Sequence, residues 1–177
     1  MHSPSSEIEI RAATVADLAM IRDIYAEAVL NGVASYETDP PDLMEMTARY
    51  EAITARPYPY LVAAAGAVVC GYAYASAFRT RPAYRFMVED SIYLDPRFQG
   101  RGIGKLLLES LIRECTAMGF RQMVAVIGGA HPASIALHRA LGFEDSGRIR
   151  GSGFKFGRWL DTAIMQLPLG EGETSEP

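Results

Sequence analysis

Ser91-Ile92-Tyr93-Leu94-Asp95-Pro96-Arg97-Phe98-Gln99-Gly100-Arg101-Gly102-Ile103-Gly104-Lys105 decides how the rest of the chain is read. Ile92 to Leu94 close a β-leaning run, and Asp95-Pro96 stops it. A basic, glycine-rich loop follows, and helical apolar spacing begins at Ile103. Gly100, Gly102 and Gly104 remove Cβ atoms at alternate positions of one turn. Backbone N–H groups then converge on an anion, and the positive end of a helix dipole adds to them. A Rossmann fingerprint needs G-x-G-x-x-G on an N-terminal strand, with an acidic residue about 20 positions later. A P-loop needs Gly-Lys followed by Ser or Thr. Here the spacing is G-x-G-x-G in mid-chain and Lys105 precedes Leu106, so both fit poorly.

Working outward, Phe86 to Leu94 is the strand that feeds this loop. The helix after it runs from about Gly102 to Met118, with Ile103, Leu106, Leu107, Ser110, Leu111 and Cys115 as its core face and Gly119 as an αL stop. Gln122 to Ile127 is continuously apolar, which suits a central strand. Pro132 opens another helix that ends at Leu141-Gly142. The last strands begin at Phe143 and Trp159, joined by a glycine-rich excursion from Arg150 to Gly157. Upstream, Ile8 and Ile10 alternate in a half-buried strand. Thr14 and Asp17 form a capping box, and a helix runs to about Leu30. A loop over Val33 to Pro41 carries Tyr36, and Asp42 caps a second helix that ends before Pro57. Tyr60 to Ala65 and Val68 to Phe78 form a hairpin about Ala65-Gly66. The order β-α-α-β-β-β-α-β-α-β-β predicts an α/β fold, a mixed central sheet with helices on both faces.

The bulk numbers narrow the function. At 177 residues, 49% hydrophobic and 21% charged, the chain reads as one soluble domain over residues 1–169, followed by an acidic tail at 170–177 expected to lack structure. The net charge of −4 gives no support to a nucleic-acid partner. No apolar run approaches the roughly 18 residues of a membrane span, and Met1 to Glu7 lacks an apolar signal-peptide core. Cys70 and Cys115 lie in neither disulfide nor metal spacing. They read as buried free thiols of a cytoplasmic protein that holds no metal.

Gln99-Gly-Arg-Gly102-Ile-Gly104 resembles the pyrophosphate loop of GNAT acetyltransferases, pattern Q/R-x-x-G-x-G/A. Four further stretches resemble the phosphinothricin acetyltransferase branch, in order: Arg79-Thr-Arg-Pro-Ala-Tyr84-Arg, Val88-Glu89-Asp90-Ser91, Ala133-Ser134-Ile-Ala-Leu-His138-Arg-Ala-Leu-Gly-Phe143, and Gly153-Phe-Lys-Phe-Gly-Arg-Trp159-Leu-Asp161. The resemblance spans Ile8 to Leu167. It implies a GNAT acyl-CoA N-acyltransferase fold and an acetyl-CoA-dependent N-acetyltransferase. The acceptor would be a small L-amino acid or analogue, such as phosphinothricin, methionine sulfoximine or methionine sulfone. A protein N-terminal or lysine acetyltransferase and a non-catalytic CoA-binding module are the alternatives. A homodimer is inherited from the branch in the same way.

The resemblance also implies site residues. The CoA pyrophosphate falls on Gln99, Gly100, Arg101, Gly102, Ile103, Gly104 and Lys105, with the Arg101 and Lys105 side chains either in contact or solvated. The pantetheine arm falls on the backbone of Ile92, Tyr93 and Leu94. Amine acetylation needs a base and an acid for the leaving thiolate. Glu89 and Asp90 point to opposite faces of their strand, and Asp90 shares its face with Val88, Ile92 and Leu94. A carboxylate on that apolar face needs a partner, so alternation does not choose between the two. The resemblance assigns the base to Glu89. His138, one helical turn after Ser134, falls near the acid position. Its other readings are packing in the CoA pocket or a satisfied structural histidine. Ser134 either bonds the cofactor or sits in the first turn. His131 stands where the family usually carries a pantetheine-binding asparagine, which puts that contact in question. Arg79 and Arg81, near Tyr84 and Arg85, match a carboxylate by guanidinium geometry or are solvated. Tyr36, Phe154, Lys155 and Trp159 are candidates for the substrate pocket, with core or dimer contacts as their other reading.

Overall fold

The structure, a computed structural model, describes residues 7–177. The polar stretch 1–6 lies outside the described residues. Seven strands form one sheet: β1 (Ile8–Ala12), β2 (Tyr60–Ala65), β3 (Val68–Ala77), β4 (Met87–Leu94), β5 (Gln122–Ile127), β6 (Glu144–Lys155) and β7 (Arg158–Pro168). Their order across the sheet is β1-β2-β3-β4-β5-β7-β6. Among the described residues only the β4–β5 pair is parallel. Among the described residues four α-helices complete the fold: α1 (Leu18–Asn31), α2 (Leu43–Thr54), α3 (Ile103–Ala117) and α4 (Pro132–Ala140).

Local signals in the sequence place most of these ends. Asp17 accepts from the Thr14 amide at 2.8 Å and from its hydroxyl at 3.0 Å, and Arg11 grips the same carboxylate through two 2.8 Å bonds. Asp42 caps α2 by accepting from the Glu45 amide at 2.8 Å. The mixed sheet is covered on both faces, as its order implies. On one face α1 and α2 bury Leu18, Ile21, Ile24, Val29 and Met46 against Val62, Val69 and a row of stacked tyrosines, Tyr60, Tyr72 and Tyr74. On the other, α3 buries Ile103, Leu107, Leu111 and Cys115 against Cys70, Ala73, Val88, Met123 and Met165. Cys70 and Cys115 are buried and unpaired.

Two expectations are corrected. Leu106 is 43% exposed, and Leu108 takes its place in the core at 0%. The other expected residues of the α3 face, Ile103, Leu107, Ser110, Leu111 and Cys115, are buried; the face widens to Gly104 and Leu108 because Gly104 packs beneath Leu94 and Leu137 and brings the start of the helix down onto the sheet. The glycine-rich excursion Arg150 to Gly157 is not a separate loop. It belongs to the long β6–β7 hairpin, which absorbs its extra residues as a register shift between Ile149 and Gly153. At the start of β5, Arg121 donates to the Glu176 carbonyl at 2.9 Å, and Gln122 to Glu173 at 2.9 Å.

Candidate active site

β4 and β5 run side by side from Met87↔Gln122 to Asp90↔Ala125. Beyond that rung they part, β4 staying with β3 and β5 with β7. The gap opens into a cleft of about 840 Å³. Its walls are the free ends of both strands, the glycine loop, the first turns of α4 and the loop after α1. Among the described residues no helix is long and apolar enough to cross a membrane, and no group of three acidic, His or Cys side chains gathers to hold a metal.

The glycine loop has the shape of an anion cradle. Gly102 is the N-cap of α3 with φ +78°, a left-handed conformation that L side chains resist. Lys105 and Leu106 both close onto the Gly102 carbonyl. The amides of Gly102, Ile103 and Gly104 therefore begin the helix without an intrahelical acceptor. A Cβ on Gly100 or Gly102 would meet nothing within 4 Å, so the space above the loop is open to a ligand. Gln99, Gly100, Gly102, Gly104 and Lys105 line the cleft. Arg101 points away, over the Phe98 ring at 5.2 Å, and the Ile103 side chain is buried in the core. Ile92, Tyr93, Leu94, His131 and Ser134 all line the cleft.

Glu89 sits on the cleft wall one residue before the last β4–β5 rung. Burial pushes its carboxyl above the usual glutamate range. The neighbouring Asp90 charge adds to this, and Arg79 partly opposes it. Asp90 points to the other face of β4 and meets His138, with Nε2 at 3.0 Å from Oδ2. His138 Nδ1 lies 2.7 Å from the Ser134 carbonyl, and both side chains of the pair are 2% exposed. Burial pushes the imidazole pKa down, but the Asp90 hydrogen bond and charge and the Ser134 carbonyl outweigh it, so the net shift is upward. Both ring nitrogens are spent on internal acceptors. Of the three readings of His138, this geometry favours the satisfied structural histidine over the acid. The sequence did hold the signal for this pair: an acidic residue on an apolar strand face, in a chain with three histidines.

The substrate-side candidates divide. Tyr36 lines the cleft, but its hydroxyl is engaged. It accepts from the Gly129 amide at 3.1 Å and shares a 2.8 Å bond with Thr162. Its ring lies where a Cβ on Gly153 would come within 2.6 Å, so Gly153 is what lets the hairpin reach it. Lys155 is not in the cleft. Its buried ammonium donates to the carbonyls of Gly32 at 2.9 Å and Ser35 at 2.8 Å, at the C-terminal end of α1. Arg79, Arg81 and Tyr84 are exposed and do not line the cleft, with Arg79 over the Phe78 ring at 4.2 Å. Phe154 and Trp159 meet edge to face at 5.2 Å near the end of the β6–β7 hairpin, 58% and 71% exposed, in neither cleft nor core.

A model of the acetyltransferase (GNAT) family matches residues 18–143. The chain is 45% identical over 169 residues to a phosphinothricin N-acetyltransferase of Alcaligenes faecalis, covering 95% of this chain and 86% of that one. It is 43% identical to an L-methionine sulfoximine/L-methionine sulfone acetyltransferase of Salmonella typhimurium, over 92% of this chain and 95% of the other. Among solved structures, a GNAT superfamily phosphinothricin acetyltransferase from Sinorhizobium meliloti, crystallised with AcCoA, superposes with a TM-score of 0.94 at 62% identity, covering 96% and 92% of the two chains.

Proposed function

The chain belongs to the acetyltransferase (GNAT) family, and we propose that it moves the acetyl group of acetyl-CoA to the α-amine of a small L-amino acid of the phosphinothricin, methionine sulfoximine or methionine sulfone type. The observation that carries this reading is the shared cleft: a glycine cradle for an anion and a carboxyl raised by burial open into the same space where β4 and β5 part.

In this reading the Gly102–Gly104 amides hold the pyrophosphate, whose charge the α3 dipole also favours. The cleft-lining backbone of Ile92–Leu94 holds the pantetheine arm, with His131 and Ser134 beside it. The thioester supplies an acyl carbon open to attack by an amine; as the new carbon–nitrogen bond forms the carbon–sulfur bond breaks, and CoA leaves as a thiolate that takes up the second proton released by the amine nitrogen. Glu89 takes the proton from the substrate ammonium and frees its lone pair, and a carboxyl lifted toward neutrality is the better base for that step. Arg79, close enough to act on Glu89, contributes positive charge where a substrate carboxylate arrives.

The direct experiment measures CoA release from acetyl-CoA with phosphinothricin, methionine sulfoximine, methionine sulfone and the common L-amino acids, with peptide amines as a second panel. Turnover on the small molecules is expected. Turnover confined to peptides, or none at all, would overturn the proposal. Two finer features follow from the same reading. A second copy packs on the exposed Phe154–Trp159 pair, and sedimentation should give a dimer that Trp159→Glu converts to monomer; a monomeric parent refutes this. A cytoplasmic location suits two unpaired buried thiols, and recovery of the tagged chain outside the soluble cytoplasmic fraction would contradict it.

A further inference from the structure

We propose that Asp90 is a positioning residue for acetyl transfer: pinned by His138, it fixes the point at which β4 leaves β5 and so sets where Glu89 and the free end of β4 lie in the cleft. This rests on the acetyl-transfer reading above and assigns within that site a cleft-lining residue that acts through Glu89 and the free end of β4.

The argument begins with the ladder. Asp90↔Ala125 is the last rung between β4 and β5. A parting of strands at that point forfeits ladder bonds, so something other than the ladder must hold it in place. The hydrogen bond between Asp90 and His138 ties β4 to α4 at that rung. The histidine itself is held on two further sides. Its Nδ1 meets the Ser134 carbonyl one turn back in α4, and its ring lies edge-on to Phe143 at 4.9 Å. Each tie shortens the list of positions the rung can adopt.

The proton count follows from the same distances. A carbonyl oxygen only accepts, so Nδ1 carries a hydrogen toward Ser134. Nε2 faces a carboxylate oxygen, and a bare nitrogen lone pair there would be repelled. Against an ionised Asp90 the ring therefore holds N–H groups on both nitrogens, as imidazolium facing carboxylate. A buried ion pair of this kind is a poor source of stability, since apolar residues of similar size often do as well or better. The second carboxylate oxygen, Oδ1, is buried and has no hydrogen-bond partner among the described residues. What the pair does supply is direction: one short bond, at one rung, beside the base. Glu89 shares the backbone of Asp90, and Ser91 to Leu94 continue from it along the cleft, so a shift of the rung moves the base and the strand end together.

Three variants separate position from fold and from charge. Asp90→Asn keeps the shape, and its amide can donate to the Nε2 of a neutral His138 whose Nδ1–H still reaches Ser134. The double variant Asp90→Leu with His138→Leu fills the space and removes the bond. Asp90→Ala leaves the imidazole without its partner. For each, kcat, the KM for acetyl-CoA, the thermal midpoint and acetyl-CoA binding by calorimetry are measured. Asp90→Asn is expected to retain kcat within about fivefold. The double variant is expected to hold its midpoint while kcat falls about 100-fold, the scale of a misplacement near 1 Å, and acetyl-CoA binds more weakly. A double variant with wild-type kcat and KM overturns the proposal. So does an Asp90→Asn enzyme as impaired as the double variant, because the charge would then act chemically. If the double variant does not fold, Asp90→Asn against Asp90→Ala carries the test, and equal loss in both overturns it. ¹⁵N spectra of the wild-type protein add an independent reading. Both His138 nitrogens should be protonated at pH 7, and only Nδ1 in Asp90→Asn; a singly protonated ring in the wild type refutes the pin. Failure of the functional reading looks different: the wild type itself would show neither turnover nor acetyl-CoA binding.

Discussion

Gly102→Ala isolates what the glycine loop contributes. Gly102 has φ +78°, and an added Cβ would touch nothing within 4 Å, so any effect is conformational rather than steric. An L residue held in the left-handed region costs about 1–2 kcal/mol relative to glycine. The loop is exposed at this point, and no packing over-determines its shape. The alanine variant therefore relaxes out of the left-handed well when free, turning the Gly102 and Ile103 amides off the cradle. Binding must restore the conformation, and 1–2 kcal/mol corresponds to about 5- to 30-fold in Kd for acetyl-CoA. Gly119→Ala is the matched control. Gly119 also has positive φ, +86°, with open space around it, but it lies past the far end of α3. It should lower the thermal midpoint by a few degrees, about 2–4 °C per kcal/mol for a chain of this size, and leave Kd unchanged. Calorimetric titration of acetyl-CoA into both variants, with thermal melts alongside, makes the comparison. A Gly102→Ala protein that binds acetyl-CoA within twofold of wild type would refute the cradle.

The other expectations concern the base, the start of α1 and the thiols. Glu89→Gln should lower kcat by about 10²- to 10⁴-fold with acetyl-CoA binding unchanged, and an unaltered rate would remove Glu89 as base. In the wild type the base works deprotonated, and its pKa is raised. Activity, followed as kcat/KM for the amine, should thus fall on acidification at a pH above the ordinary glutamate value of 4.5; a limb at or below 4.5 would contradict the assignment. Asp17 is lowered from 3.8 to about 2, chiefly by Arg11. A fall from 3.8 to about 2 corresponds to about 2.5 kcal/mol, and screening at the partly exposed Arg11 leaves about 1. Because the folded value is the lower one, this stability is present above pH 4 and is lost as pH falls toward 2. Urea unfolding of Asp17→Asn should show the loss at pH 7 and little of it at pH 2, and equal losses at both would refute the linkage. Cys115, pushed up to about 12 by burial, and buried Cys70 should react with a thiol dye only after unfolding. Rapid labelling of the native protein would show that one of them is open.

Most of the fold was legible because it is written in local code. Asp42 two residues past Pro40, Gly119 after a helical run, and the alternation of Ile8 and Ile10 each specify an end or a face without reference to the rest of the chain. The misreadings arise where a distant contact overrules that code. Leu106 fits the helical period of α3 as well as Leu108 does, and only the descent of Gly104 onto Leu94 and Leu137 chooses between them. The stretch from Arg150 to Gly157 reads as a loop by composition. Its pairing with β7 draws it into a strand, and Gly153 serves there to admit the Tyr36 ring rather than to break a strand.

The site divides along the same line. The cradle was legible because its chemistry belongs to the backbone, and three glycines announce it. The substrate side was not, because a side chain's residue type does not say which way its polar end is spent. Lys155 shows this best. A lysine among aromatics reads as a pocket cation, yet it lies 120 residues or more in sequence from the Gly32 and Ser35 carbonyls that hold it. Removing that ammonium would free the end of α1, and with it the loop that carries Tyr36 along the cleft. Lys155→Met should accordingly raise the KM for both substrates, through a displaced wall. A lost substrate contact would instead raise the KM for the amine alone. If Lys155→Met changes only the amine KM, the ammonium reaches the substrate after all, and the hydrogen bonds to Gly32 and Ser35 are not what it is there to make.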